Sequence, residues 1–225
     1  RDYEPSIDGI SAYFAAYNRN KKSVTLNLRT DKGKELLRGL VRWGDVLVEN
    51  FRPGVMARLG FSYDDVRKIN PGIIMVATSG FGQTGPYAGR ASFDMVAQAM
   101  SGVMSVTGNE GGPPTRAGPA IADCTGGFFG ALGAVLALFH KQRTGEGQFV
   151  DVSLLDGQLL MMSFNIIRAY LGVELKPGVG QVAPADSYPT ADGRYIYIFG
   201  HDNAHFPKLC RLAGRPELAD DPRYD

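Results

Sequence analysis

The chain is poor in the residues that most readily assign a chemistry. Its 225 residues include two cysteines, Cys124 and Cys210, far apart and without CxxC spacing. That argues against a disulfide framework and a zinc ribbon, and points to a reducing compartment. The three histidines, His140, His201 and His205, show no HExxH or other ligand spacing, so no metal site is expected. Charge of neither sign dominates: 24 Lys+Arg stand against 23 Asp+Glu, a net +1. Nothing in that balance draws the chain to nucleic acid or an anionic membrane, so an anionic ligand must be met locally. No charged-then-apolar leader opens the sequence and no Met starts it, so a beginning inside a longer chain is expected. The cytoplasm is the expected location, with the mitochondrial matrix as the eukaryotic variant. The apolar run from Phe128 to Phe139 is interrupted by Gly130 and Gly133 and is too short to span a bilayer, so it reads as a buried helix. No internal repeat is visible.

What is present is the composition of a globular protein, 44% hydrophobic and 21% charged. SVTLNL (23–28) alternates like a strand; Thr30 then caps a helix whose Leu36, Leu37, Leu40 and Val41 share a face, and Gly44 ends it. DVLVEN (45–50) reads as a second strand, Ser62 and Asp64 open a short helix that stops before Pro71, and IIMVATS (73–79) reads as a third strand. A Gly-rich loop (80–92) leads to a helical stretch from Phe93 to Met104, and a second loop precedes a long helix from about Ile121 to Arg143. The small residues of that helix, Gly126, Gly127, Gly130, Ala131, Gly133, Ala134 and Ala137, predict close packing on another helix. FVDVS (149–153) is a fourth strand, followed directly by a helix from Leu154 to Leu171, then a hairpin turning at Asp192-Gly193 and one or two short helices. Strands separated by helices predict a parallel α/β sheet.

Asp156 stands where a strand passes into a helix, near the strand's C-terminal end, where open α/β sheets bind ligands. The helix N-terminus favours its anionic form, and the same position suits a mere capping aspartate. Arg52 and Arg58, just beyond the second strand, suit phosphate through paired charge-assisted hydrogen bonds, and suit a solvated loop equally. GFGQTG (80–85) does not open a helix and no GK[ST] follows, so a nucleotide loop is disfavoured; Ser79-Gly80 is not a GxSxG elbow, so a serine hydrolase has little support.

Several motifs then occur in a distinctive order: NRNKKSVTLNL (18–28), DVLVENFRPGVMARLGF (45–61), NPGIIMVATSGFGQTGPY (70–87), FDMVAQAMSG (93–102), GPAIAD (118–123), RTGEGQFVDVSLLDG (143–157), DGRYIYI and LADDPRY. In this they resemble the class III CoA-transferases, the family of formyl-CoA transferase and carnitine CoA-transferase, which shares its fold with α-methylacyl-CoA racemase. The resemblance implies a Rossmann-like large domain with a parallel sheet, a smaller α+β domain, and an interlocked homodimer. On this chain the large domain would occupy 1–175 and the start of the small one 176–225, the family's opening strand and helix being absent. It implies a nucleophile at Asp156, with Gly178, Gly180 and Gln181 as a loop closing over the intermediates. It further implies coenzyme A contacts at Leu26, Asn27, Leu28 and Arg29, at Asn50, Phe51, Arg52 and Arg58, and at Ala91, Ser92, Phe93 and Asp94. Coenzyme A would be substrate and product, with an acyl-CoA donor, a carboxylic acid acceptor, and neither metal nor redox cofactor. Oxyanions would be met by amides at the start of the helix that carries Asp156. Racemisation of a 2-methylacyl-CoA is the alternative, because it uses the same fold; it needs a base on each face of the α-carbon, and Phe93 stands where the racemase pattern has histidine. A catalytically silent CoA-binding protein is the other.

Overall fold

The structure, a computed structural model, describes residues 3–178, 184–199 and 204–224. The chain opens with a small antiparallel pair, β1 (Ser6–Ile7) and β2 (Ile10–Ser11), and a helix α1 (Ala12–Asn18) capped by Ser11. The predicted strand at 23–28 is absent: the segment runs free of any ladder, and Val24 is 66% exposed. Asn27 instead builds a turn, its carbonyl accepting from Thr30 N–H (3.1 Å) and its side chain from Arg29 N–H (3.0 Å). Period-two alternation had no neighbouring strand here to pair with.

From Thr30 the sequence and the structure agree closely. Thr30 Oγ1 accepts the Gly33 amide at the start of α2 (Asp31–Trp43), and Gly44 follows its end. β3 (Val46–Glu49) leads through Asn50–Gly54 to α3 (Val55–Leu59), and Ser62 begins α4 (Tyr63–Ile69). Its capping box uses Asp65, not Asp64. β4 (Ile74–Ser79) is buried along nearly its whole length. The predicted helix 93–104 is two: α5 (Asp94–Met100) and α6 (Val103–Val106), divided where Gly102 takes φ +86°. The long helix α7 (Ile121–Thr144) ends at Gly145. β5 (Phe149–Ser153) passes directly into α8 (Leu154–Met161), and a break at Met162 makes α9 (Ser163–Tyr170) separate. The hairpin β6 (Asp186–Pro189) and β7 (Tyr195–Ile198) turns at Asp192-Gly193 as predicted, and α10 (Phe206–Leu212) follows.

The sheet β3–β4–β5 is parallel throughout, with β4 central. Alternate residues of β4 feed two cores. Met75 joins Val41, Met56, Phe61, Val66 and Ile73 under α2 and α4, where burying Phe61 completely contributes about 2–3 kcal/mol. Ile74 and Val76 join Val152 and Ala137 under α7. The small residues of α7 serve the predicted helix packing in part, at Gly126, and otherwise mostly face strands. Gly130 lies on Val76, Gly133 on Val150, and Gly126 on Thr78 and on Leu154 of α8, whereas Gly127 meets nothing. At 24 residues α7 is long and apolar enough, by length and composition, to cross a bilayer, which the shorter run 128–139 did not indicate. One side lies on the sheet. The other leaves Phe128, Leu132, Val135, Leu136 and Phe139 each more than half exposed.

Candidate active site

The C-terminal ends of the three strands gather the polar residues. A cavity of about 290 Å³ there is lined by Asn50, Phe51 and Arg52 after β3, by Ser79 at the end of β4 and Gly80 beyond it, by Ala91, Ser92 and Phe93, and by Asp123 and Leu154. Six of the twelve expected coenzyme positions meet in it. A β-carbon on Gly80 would collide with the Ser92 side chain, so only glycine lets 91–93 close against the sheet end. Leu26, Asn27, Leu28, Arg29 and Arg58 lie outside the cavity wall. Asn27, Leu28 and Arg29 form the turn before α2, while Arg58 lies against the turn glycine, its guanidinium 3.2 Å from the place a Gly54 β-carbon would occupy.

The turn 50–53 is fixed from below. Asn50 donates its side-chain N–H to Thr78 O at 2.7 Å, and Phe51 N–H donates to Glu49 Oε2 at 2.8 Å. Glu49 is only 8% exposed. In register it flanks Ala77 on one side while Asp151 flanks it on the other, so both carboxylates share one face of the sheet. Burial raises the Glu49 pKa most; the Phe51 amide opposes this and the charge of Asp151 adds to it. Between the ordinary glutamate range and its raised value, the folded protein holds a proton that the unfolded chain has released. Stability is therefore lost as pH rises through that window. Glu49→Gln keeps an acceptor for Phe51 N–H but cannot titrate. Thermal melts from mildly acid to neutral pH should show the wild type declining across this window more than the variant does; parallel profiles would refute the linkage.

Asp94 occupies a place that local spacing did not reveal. Its Oδ1 accepts the amides of Ala122 (2.7 Å) and Asp123 (3.2 Å) at the start of α7, and its Oδ2 accepts from Gln98 Nε2 (2.6 Å). Gln98, wholly buried, accepts in turn from Ala117 N–H at 2.9 Å. The residue expected to touch coenzyme thus caps a helix 28 residues away and anchors the wall carrying Asp123. Asp123 lines the cavity and its pKa is raised, by burial first and by the neighbouring Asp94 second.

Asp156 lies in the first turn of α8, exposed, and lines a second cavity of about 270 Å³ with Phe129, Val150, Ser153 and Leu160. It does not share the cavity of the coenzyme positions. Leu154 faces that first cavity, and two residues further along a helix turns the side chain by about 200°. Two amides of this turn are already used: Leu155 N–H donates to Gly80 O (3.1 Å) and Asp156 N–H to Ser153 Oγ (3.1 Å). The expected oxyanion site at these two amides is therefore closed. Asp151 is held by Gln83 N–H (2.9 Å), so among the described residues Glu49, Asp94 and Asp151 are tied to backbone donors, whereas no donor reaches the Asp156 carboxylate. Gly178 has φ +67°, and a β-carbon there would collide with the Glu110 amide, which seats it on the 109–110 loop. Gly180 and Gln181, like His201, lie outside the described residues.

Ser79, Arg90 and Asp123 were not anticipated. Arg90 also lines the first cavity; a single arginine in a glycine-rich loop carries no spacing that would mark it.

Comparison with known proteins agrees with this architecture. The model described as CoA-transferase family III matches residues 1–225. The succinyl-CoA–D-citramalate CoA-transferase of Chloroflexus aurantiacus is 41% identical, the match covering 96% of this chain and 55% of that protein. The acetyl-CoA:oxalate CoA-transferase of Acetobacter aceti is 42% identical, over 100% of this chain and 59% of that protein. A crystal structure of a CAIB/BAIF family protein from Brucella suis superposes with a TM-score of 0.85 at 36% identity, over 100% of this chain and 61% of that one. The chain thus spans little more than half the length of these relatives. With its parallel sheet, its ordered motifs and a family match along all 225 residues, the chain belongs to CoA-transferase family III.

Proposed function

We propose that this chain transfers coenzyme A from an acyl-CoA thioester to a carboxylic acid, with Asp156 as the carrying carboxylate. The observation that carries the reading is the sorting of carboxylates together with the SLLDG motif: Glu49, Asp94 and Asp151 are held by backbone amides, Asp156 and Asp123 are left exposed with no donor among the described residues, and of these two it is Asp156 that the resemblance marks as nucleophile. A carboxylate kept free of donors retains its lone pairs for attack.

In this reading an Asp156 oxygen attacks the donor carbonyl, the C–S bond breaks, and an aspartyl anhydride and CoA thiolate result. The thiolate then attacks the aspartyl carbonyl, breaking the anhydride C–O bond; the donor acid departs and an aspartyl-CoA thioester remains. The acceptor carboxylate repeats both steps in reverse, regenerating Asp156. No water enters the balance, and an anhydride must be kept from it. We assign that task to the loop of Gly178, Gly180 and Gln181. Because the Leu155 and Asp156 amides are occupied, oxyanion donors are assigned to other groups.

Several further features support the same reading. Phe93, 75% exposed on the cavity wall, can take no proton, which favours transfer over racemisation. The open face of α7 supports an interlocked homodimer, in which a second copy covers Phe128, Leu132 and Phe139. The hairpin β6–β7 forms a sheet of its own, consistent with a large domain over 1–175 and the start of a smaller one over 176–225. We assign the protein to the cytoplasm. The names of the relatives pair succinyl-CoA with citramalate and acetyl-CoA with oxalate, and we extend short acyl donors and small carboxylic acid acceptors to this chain. A panel of acyl-CoA donors against such acids should give new acyl-CoA products by chromatography. Free CoA without a new thioester, or deuterium exchange at the α-carbon of a 2-methylacyl-CoA, would defeat the proposal.

A further inference from the structure

Among the described residues, the first cavity holds donor groups that no protein acceptor uses. Arg90 has its guanidinium 4.1 Å from the centre of the Tyr87 ring, and Tyr87 is itself packed edge-on against Phe81 at 5.7 Å. A guanidinium resting over an aromatic ring is held by cation–π attraction, while its N–H groups not directed at the ring stay available to an acceptor. Among the described residues Arg90 forms no ion pair, although seven other cation–carboxylate pairs occur. Ser79, lining the same cavity, is 6% exposed, and its hydroxyl is buried without a hydrogen-bond partner. A buried orphan hydroxyl is costly to keep unless a ligand satisfies it. With about 30 Å³ per water-sized group, a cavity of about 290 Å³ admits part of an acyl-CoA and not the whole molecule.

We propose that Arg90 and Ser79 form an anion subsite that grips one oxyacid group of the substrate. The inference rests on the CoA-transfer reading. The planar fork of Arg90 takes two oxygens of that group and the Ser79 hydroxyl donates to the same group. Two parts of an acyl-CoA offer this chemistry: a carboxylate at the far end of the acyl group, and a phosphate of the coenzyme.

Calorimetric titration of the whole chain with succinyl-CoA and with butyryl-CoA tests the subsite and separates the two sources. Arg90→Gln should weaken succinyl-CoA by about 10-fold or more, and Ser79→Ala by a smaller factor. If butyryl-CoA weakens equally, the group gripped is a phosphate; if only succinyl-CoA weakens, it is the acyl carboxylate. Arg90→Lys should recover only part of the loss, since a point charge replaces a fork. Full recovery by Arg90→Lys would reduce Arg90 to a source of long-range field and overturn the subsite. Unchanged affinity of Arg90→Gln for both donors would overturn it too, with the CoA reading intact. A wild-type chain that binds neither donor would defeat the CoA reading itself and the subsite with it.

Discussion

Replacing Asp156 with alanine should lower the turnover number for CoA transfer by about 10⁴-fold or more, while acyl-CoA still binds. The size of the effect follows from the covalent path: without this carboxylate neither the anhydride nor the aspartyl thioester forms, and direct attack of one acid on a distant thioester forfeits the advantage of a held nucleophile. Binding survives because the proposed coenzyme positions Asn50, Phe51, Arg52 and Ala91 to Phe93 line a different cavity. The fold survives because Asp156 contributes its backbone amide, not its side chain, to the Ser153 cap. The informative companion is Asp123→Asn. Asp123 is the carboxylate that does line the cavity of the proposed coenzyme positions, and it is the rival nucleophile on geometric grounds. Turnover that collapses in Asp123→Asn and persists in Asp156→Ala would transfer the role to Asp123.

Replacing Asp94 with alanine should cost about 2–4 kcal/mol of stability, lowering the melting temperature by about 10 °C. One carboxylate serves two α7 amides and the Gln98 side chain. Its loss orphans all three at once, in a region where Ala122 and Gln98 are fully buried. The favourable meeting of a negative charge with the positive end of a 24-residue helix is lost as well. Asp94→Asn should lie between, since its oxygen can still accept from α7 while its amide faces the Gln98 amide. Flipping Gln98 to resolve that conflict would turn an N–H toward Ala117 N–H. Differential scanning calorimetry on the three proteins checks the order. A melt of Asp94→Ala within about 2 °C of wild type would show that water replaces the network without loss.

The elements legible in the sequence are those that local chemistry determines. Thr30 and Ser62 start helices because a side-chain oxygen meets an amide three residues on; the run 73–79 became a central strand covered on both faces, and the runs 45–50 and 149–153 pair with it on either side. SVTLNL failed because alternation signals a strand only where a ladder partner exists. The glycines of α7 were read as a helix–helix contact, since the sequence shows that close approach is needed but not what approaches. Within the site, Asp156 and Arg52 were marked by their place at strand ends, and the resemblance of ordered motifs gave them roles and added Asn50 and Phe51. Two kinds of fact stayed hidden. One is the long-range hydrogen bond, as between Asp94 and α7. The other is the direction of a side chain around a helix, which put Leu154 and Asp156 in different cavities.

The most direct test of the central claim is chemical trapping. Incubated with an acyl-CoA and hydroxylamine, then digested and mapped by mass spectrometry, the protein should carry a hydroxamate on the peptide containing Asp156 and only with donor present. A hydroxamate on Asp123 instead, or none on an otherwise active chain, would contradict it.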